Sequence, residues 1–292
     1  MPSIISTIGA LEIGVFMSTF LFGIATVQAY IYYRRFPKDG WLIKSLVGMI
    51  WVLELGHSIC VSHGLFEMTL SQYKSPRPGS DRDIEPSFAI AVLFSGCIAS
   101  LTQAYFACRL RVLSEKWAIP ILFWILALAR FVAWIYAGSV GIQDCMRFRN
   151  GESDHLDWQW PLVPLLAFGA CVDFIVAAML FYHLYRTQRE VLLNTARLLD
   201  KLIIWTIQNG FITSFAGVAT CIALHVQPDS FVWIAVFMLL TRLFSNSFLA
   251  SLNARVDLLR QSQGTINSPL SLRLSFASNT PPHSTHLHDS RV

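Results

Sequence analysis

Apolar and polar positions fall into long blocks along this chain, not into short alternations. Seven apolar runs, about 10–33, 43–65, 87–108, 119–140, 162–185, 202–225 and 231–252, are separated by polar stretches such as RRFPKDGW, SQYKSPRPGSDRDIEP and QPDS. Each run reaches the roughly 20 residues that an α-helix needs to cross a hydrocarbon core of about 30 Å. A spanning β-strand needs only about ten residues of alternating polarity, and these runs are apolar throughout. The Gly, Pro, Asp and Ser clusters between them mark turns. The pattern predicts an all-α integral membrane bundle of seven transmembrane helices over residues 1–253. A disordered cytoplasmic tail, rich in Ser, Thr, Pro and Asn, is expected over 254–292.

Composition agrees with a bilayer as solvent. With 54% hydrophobic and 14% charged residues and a mean hydropathy of +0.51, the chain has too little polar surface for a soluble domain. Charge then sets the expected orientation, because basic residues near span ends resist transfer across the membrane. Fifteen of the 22 Lys and Arg residues collect on one side: Arg34, Arg35, Lys38, Lys44, Arg109, Arg111, Lys116, Arg186, Arg189, Arg197, Lys201, Arg255, Arg260, Arg273 and Arg291. The other side holds Lys74, Arg77, Arg82, Arg147 and Arg149 among many acids. This places the amino terminus outside, extracellular or lumenal, and the carboxyl terminus in the cytoplasm. The net charge of +4 resides in these membrane-flanking loops, so the lipid bilayer is the expected partner and nucleic acid is not. The plasma membrane is favoured over an internal one.

The candidate chemistry lies where hydropathy disfavours it. Glu54, Arg130, Asp173 and Arg242 fall near the middle of spans two, four, five and seven. A charge at that depth costs on the order of 3 kcal/mol and faces the bundle interior with a partner. Arg130 with Asp173 is the first expectation, because spans four and five are joined in sequence, which leaves Glu54 for Arg242. The swapped arrangement stays open, as does the choice between pairs that only fix helix register and pairs that line a site.

Polar stripes accompany these charges at helical spacing. Span seven carries Arg242, Asn246 and Asn253 with Ser245 nearby, span six Thr206, Asn209, Thr213 and Thr220, and span one Glu12, Thr19, Gly23, Thr26 and Tyr30. All three stripes are expected to point inward as interhelical glue. His57, one turn beyond Glu54, suggests a proton relay or a metal fragment. His63 lies on another face and no HExxH accompanies the pair, so no metal site is expected. The tail histidines His283, His286 and His288 read as a solvated stretch, and Ser271, Ser275 and Ser278 as phosphorylation candidates. Cys60, Cys97, Cys171 and Cys221 lie inside apolar runs, Cys108 at a helix end and Cys145 in an outer loop, which is no disulfide framework. No nucleophile elbow, phosphate loop or catalytic set is present in the sequence, so neither an enzyme nor a cofactor is expected.

Four segments carry a likeness to a known group: VQAYIYYRRFPKD from Val27, ELGHSICVSHGLF from Glu54, TQAYFACRLRVLS from Thr102 and LFSNSFLASLNAR from Leu243. The chain resembles a family of uncharacterised basidiomycete fungal membrane proteins that share a C-terminal domain of unknown function, here about 173–253. The resemblance implies seven spans and no particular activity. A G-protein-coupled receptor has the same topology, but ACRLRV stands where span three of the familiar classes ends in an acidic-Arg-aromatic triplet, and FSNSFL replaces Asn-Pro-x-x-Tyr. The leading functional expectation is a receptor-like sensor with a small molecule between its helices and a cytoplasmic signalling partner. The alternative is a transporter or proton-coupled carrier, and the third reading is a structural membrane scaffold. The candidate site is Glu54, His57, Arg130, Asp173, Arg242 and Asn246.

Overall fold

The computed structural model describes residues 8–74, 85–114, 117–150, 162–190, 193–227 and 230–254. They form seven helices: α1 (Ala10–Arg35), α2 (Trp41–Lys74), α3 (Pro86–Ser114), α4 (Ala118–Arg149), α5 (Leu162–Glu190), α6 (Leu193–Val226) and α7 (Val232–Asn253). Prolines punctuate their starts. Pro86, Pro120 and Pro164 each sit in a first helical turn, where backbone N–H groups have no intrahelical acceptor to lose. Pro37 follows the Phe36 cap and disfavours continuation of α1.

Among the described residues six helices, α1 to α5 and α7, are long and apolar enough to cross a membrane, and α6 contributes the apolar stretch Gly210–Val226. Their outer surfaces are apolar as well: Phe16, Phe20, Ile125 and Phe215 are each more than half exposed. In water such a surface would be strongly unfavourable, and in lipid tails it is matched. The protein is a multi-pass integral membrane protein. Exposed aromatic side chains gather at the end where the chain passes from α1 to α2 and from α3 to α4, among them Tyr30, Tyr33, Trp41 and Trp117. Arg111 lies over the Trp117 ring at 3.5 Å there. Aromatic rings with basic neighbours are what a headgroup region favours.

Consecutive helices pack side by side, and α7 returns against α1. The centre is held by α3 and α7, whose apolar windows are 61% and 72% buried against 28% for α1, α2 and α4. On α2 the buried positions are Val47, Ile50, Glu54, His57, Val61, Gly64 and Met68, an alternation of three and four that keeps one stripe inward. Contacts of α7 with α1 run in step along both helices, from Gly14 against Ala235 to Asn253 against Gln28, so these two helices are parallel.

Three expectations need correction. The span-one stripe faces outward: Glu12, Thr19, Gly23, Thr26 and Tyr30 are all exposed, while Leu11, Gly14, Val15, Ser18 and Ala25 are buried. Thr19 and Thr26 donate to Val15 O and Phe22 O one turn back, and of the two Thr26 also accepts from Trp51 Nε1 of α2 at 3.1 Å, at the outer edge of the bundle and not in its interior. Cys145, read as a loop residue, lies within α4, and Cys108 lies inside α3. Helices also run past the apolar runs, α2 to Lys74 and α4 to Arg149, because hydropathy reports the hydrocarbon core and the helix continues into the headgroup layer. The tail beyond Ala254, with its histidines and serines, lies outside the described residues, as do the side chains of Thr206 and Asn209.

Candidate functional site

Arg242 enters the bundle from α7, one side chain among many small ones. Its Nε donates to Ser18 Oγ at 2.8 Å, Nη1 donates to the Glu54 carbonyl at 3.1 Å, and Nη2 donates to Ser58 Oγ at 2.7 Å. Nη1 also forms an ion pair with Glu54 Oε2. The other Glu54 oxygen accepts from Ser245 Oγ at 2.5 Å. Both charged side chains are 1% exposed. Every nitrogen of the guanidinium therefore has an acceptor, and both carboxylate oxygens have a partner. The serines on α1, α2 and α7 are what allow the pair to be buried, since burial of charge is tolerated only with its remaining hydrogen bonds made.

Arg130 of α4 meets Asp173 of α5 at 3.0 Å, and Gln103 Oε1 of α3 accepts from the same nitrogen at 3.5 Å. Gly169, one turn before Asp173, leaves the space the guanidinium fills: a Cβ there would lie 2.7 Å from Nη2. The Phe244 ring centroid is 5.3 Å from the Arg130 carbon, half a turn along α7 from Arg242. This second pair is less completely satisfied. Arg130 Nε and Gln103 Nε2 are buried without a hydrogen-bond partner among the described residues. Asp173 is 12% exposed, because it borders a cavity.

That cavity, of about 50 Å³, runs between α3, α5, α6 and α7. At a minimum of roughly 10–15 Å³ per water it has room for a few waters or a molecule of a few heavy atoms. Asp173, Gln103 and Phe244 lie toward its inner end, and Arg109, Ser251 and Ala254 at the end where α3 and α7 finish. Arg109 Nη1 donates to Ser251 Oγ at 2.6 Å across that end. Much of the wall is apolar, from Phe106, Val176, Leu180 and Phe244. The opposite part of the bundle is filled by a hydrophobic cluster that includes Phe88, Trp134, Trp233 and Phe237.

The remaining sequence candidates lie elsewhere. Asn246 Nδ2 donates to Leu21 O at 3.1 Å and Asn253 Nδ2 to Gln28 O at 2.9 Å, so both clasp α7 to α1 and neither lines the cavity. His57 is fully buried, and neither ring nitrogen has a hydrogen-bond partner among the described residues, so no bond joins it to Glu54. His63 instead contacts Ser87 Oγ at 2.8 Å. Among the described residues no group of three or more His, Cys, Asp or Glu is placed to hold a metal. Thr213 and Thr220 do point inward, and Thr213 reaches the cavity. Sequence reasoning missed Ser18, Ser58, Gln103, Gly169 and Arg109 as parts of these arrangements. Only the one-turn spacings of Ser58 from Glu54 and of Gly169 from Asp173 signalled any of them.

Arg130, Asp173 and Arg242 thus organise two different sites, and two of these three residues belong to the carboxyl-terminal part of the chain. Residues 169–257 match a family of unknown function, DUF6534. The match begins at the glycine that cradles Arg130 and takes in Asp173, Thr213, Arg242, Ser247 and Ser251. No curated protein and no solved structure matches the chain. The DUF6534 segment supplies α6, α7 and most of α5, whereas Glu54, Gln103, Arg109 and Arg130 come from the helices before it. Both sites are therefore completed across the boundary of the matched segment.

Proposed function

We propose that the chain is a seven-span membrane protein, with its amino terminus outside and its carboxyl terminus in the cytoplasm, that binds a small molecule in the cavity between α3, α5, α6 and α7. In this reading the protein is a receptor-like sensor. Glu54 and Arg242 form a structural lock, and Arg130 and Asp173 organise the binding end. The observation that carries it is the contrast between the two pairs. The lock has its polar atoms matched in a close-packed setting, while the other pair borders a cavity and leaves Gln103 Nε2 and Arg130 Nε unmatched among the described residues. Buried donors without acceptors cost free energy, and a bound polar ligand or water relieves that cost.

A carrier is the second reading, and one observation favours it. The cavity lies toward the basic end of the bundle, the cytoplasmic one in this orientation, and the other end is filled by a hydrophobic cluster around Trp134 and Trp233. One-sided access of this kind fits an inward-facing carrier as well as a sensor. A scaffold accounts for the lock but gives no role to the unmatched donors. Surface labelling of intact cells is the check on the expected plasma-membrane location.

Ser247 lines the cavity and is buried, so Ser247→Phe fills it without touching either ion pair. Purified protein in lipid nanodiscs is expected to gain thermal stability with at least one member of a panel of acetate-sized anions, amines and alcohols, and Ser247→Phe to lose that gain while remaining folded. Stabilisation that survives Ser247→Phe, or none with any compound, would count against the cavity as the site. Time-dependent accumulation of the same compound in proteoliposomes would favour the carrier, and binding without accumulation the sensor.

A further inference from the structure

Apart from the cavity, we infer that the corner where α1 passes into α2 binds the headgroup of an anionic phospholipid that ends in a phosphate monoester. Helix α1 ends at Arg35 and α2 begins at Trp41, and the turn between them is held in one shape. Tyr32 and Phe36 are buried in a cluster with Val47 and Leu252. Tyr32 Oη donates to Asp39 Oδ2 at 3.0 Å, Lys44 Nζ to Pro37 O at 2.5 Å and Tyr33 Oη to Lys44 O at 2.7 Å. These bonds direct Asp39 toward Tyr32 and the Lys44 ammonium toward the backbone of the turn. Arg34, Arg35 and Lys38 are left exposed, and none of the three has an acidic partner among the described residues. Three cations are thus presented on a short, braced turn.

Their surroundings name the occupant. Tyr30, Tyr33, Trp41 and Leu42 are exposed beside them, and the Arg34 guanidinium carbon is 5.9 Å from the Tyr30 ring centroid. Exposed aromatic rings mark the boundary between acyl chains and headgroups, so these cations stand at the level of the lipid phosphates. A lipid matches both parts of the corner, its acyl chains against the Trp41 and Leu42 flank and its headgroup against the cations. A phosphate monoester carries a charge of about −1.5 to −2 and three acceptor oxygens, whereas a serine headgroup leaves its lipid with a single net charge. Guanidinium forks pair with such oxygens two at a time. Basic residues beside a span also attract the anionic lipids of the cytoplasmic leaflet, which this end faces in the proposed orientation. Membrane orientation and the helix dipole both favour basic residues at a cytoplasmic helix end. Both apply equally to Arg111 in the last turn of α3, whose guanidinium carbon lies 3.5 Å from the Trp117 ring centroid. Neither calls for Lys38, which lies beyond the end of α1.

The test is native mass spectrometry of the full chain in mild detergent, offered equal amounts of dioleoyl phosphatidic acid, phosphatidylserine and phosphatidylcholine. Phosphatidic acid is expected to be retained about tenfold over phosphatidylcholine, with phosphatidylserine between them. The triple variant Arg34→Gln, Arg35→Gln, Lys38→Gln should lose that preference, and Lys38→Gln alone, at an exposed position of the turn, should lose part of it. Arg111→Gln should keep it, although it removes a cation from the same end of the bundle. Thermal unfolding of each variant establishes that it is folded, and Lys38→Gln decides the matter should the triple variant not fold. Equal retention of the three lipids, a preference that survives in the variants of the corner, or an equal loss in Arg111→Gln would overturn the assignment. Displacement of phosphatidic acid by an equimolar amount of glycerol phosphate would overturn it as well, because a soluble phosphate would then suffice.

Discussion

Arg242→Gln is expected to be the most damaging single substitution in the protein. It removes the charge partner of a carboxylate that is 1% exposed, and it also takes donors from Ser18, Ser58 and the Glu54 carbonyl. Breaking one side of a buried ion pair costs about 3–5 kcal/mol, a large share of a typical folding free energy. Glu54→Gln alone is expected to cost a similar amount, because it leaves the guanidinium buried with its charge unmatched. The double variant, Glu54→Gln with Arg242→Gln, should recover most of the loss, since two amides can hydrogen-bond one another without any net buried charge. Thermal unfolding of the four proteins in nanodiscs gives the coupling directly. Additive losses would show that the two residues do not act as a pair.

Gly14→Val comes second. A Cβ at Gly14 would lie 2.7 Å from the Ala235 Cα, so any side chain there meets backbone, which has no other rotamer to adopt. Helices α1 and α7 must then part, and with them the Ser18 contact to Arg242 and the Asn246 and Asn253 clasps. Overpacking of this kind typically costs about 1–3 kcal/mol, and the loss of adjoining hydrogen bonds places Gly14→Val toward the upper end of that range. Gly23→Val on the same helix is the control. A Cβ at Gly23 would meet nothing within 4 Å, and the position faces outward. The substitution is expected to leave the unfolding midpoint within about a degree or two of the unmodified chain, as surface changes away from special features do. Equal effects at the two glycines would contradict the close α1–α7 approach.

Gly14 and Gly23 also show how far the sequence could be read. Helix positions were legible because a run of twenty apolar residues has few alternatives in lipid. That the four buried charges pair was legible as well, since a charge in a bilayer needs an opposite charge, but two of each sign at one depth left two pairings open, and the helix packing selects between them. Rotational setting was not legible on α1. Lipid is as apolar as the protein core, so an inward face has no compositional contrast, and of the stripe Glu12, Thr19, Gly23, Thr26 and Tyr30 the two threonines bond their own backbone and can face outward. On α2 the same reading succeeded, because Glu54 and His57 have no such internal escape and must turn inward. The cavity was illegible for a further reason. It is a property of four helices together, and Gln103 and Arg109 acquire meaning only once α3 lies at the centre of the bundle. Arg109 counted in the sequence only toward orientation.

In the proposed reading the two buried pairs have different jobs, Glu54 with Arg242 locking the core and Arg130 with Asp173 standing beside a cavity that is reached from the cytoplasm. Ser245 and Ser247 distinguish these settings, because they are two residues apart on α7 and face opposite ways, Ser245 bonded to Glu54 and Ser247 lining the cavity. Each is replaced singly by cysteine in a chain whose six native cysteines are changed to serine or alanine, and oriented membranes are exposed to a small charged thiol reagent from one face at a time. Ser247→Cys is expected to be modified from the cytoplasmic face, slowly or not at all from the other, and Ser245→Cys to be protected from both. Modification of Ser245→Cys at the rate of Ser247→Cys, or of Ser247→Cys only from the outer face, would contradict this division of roles.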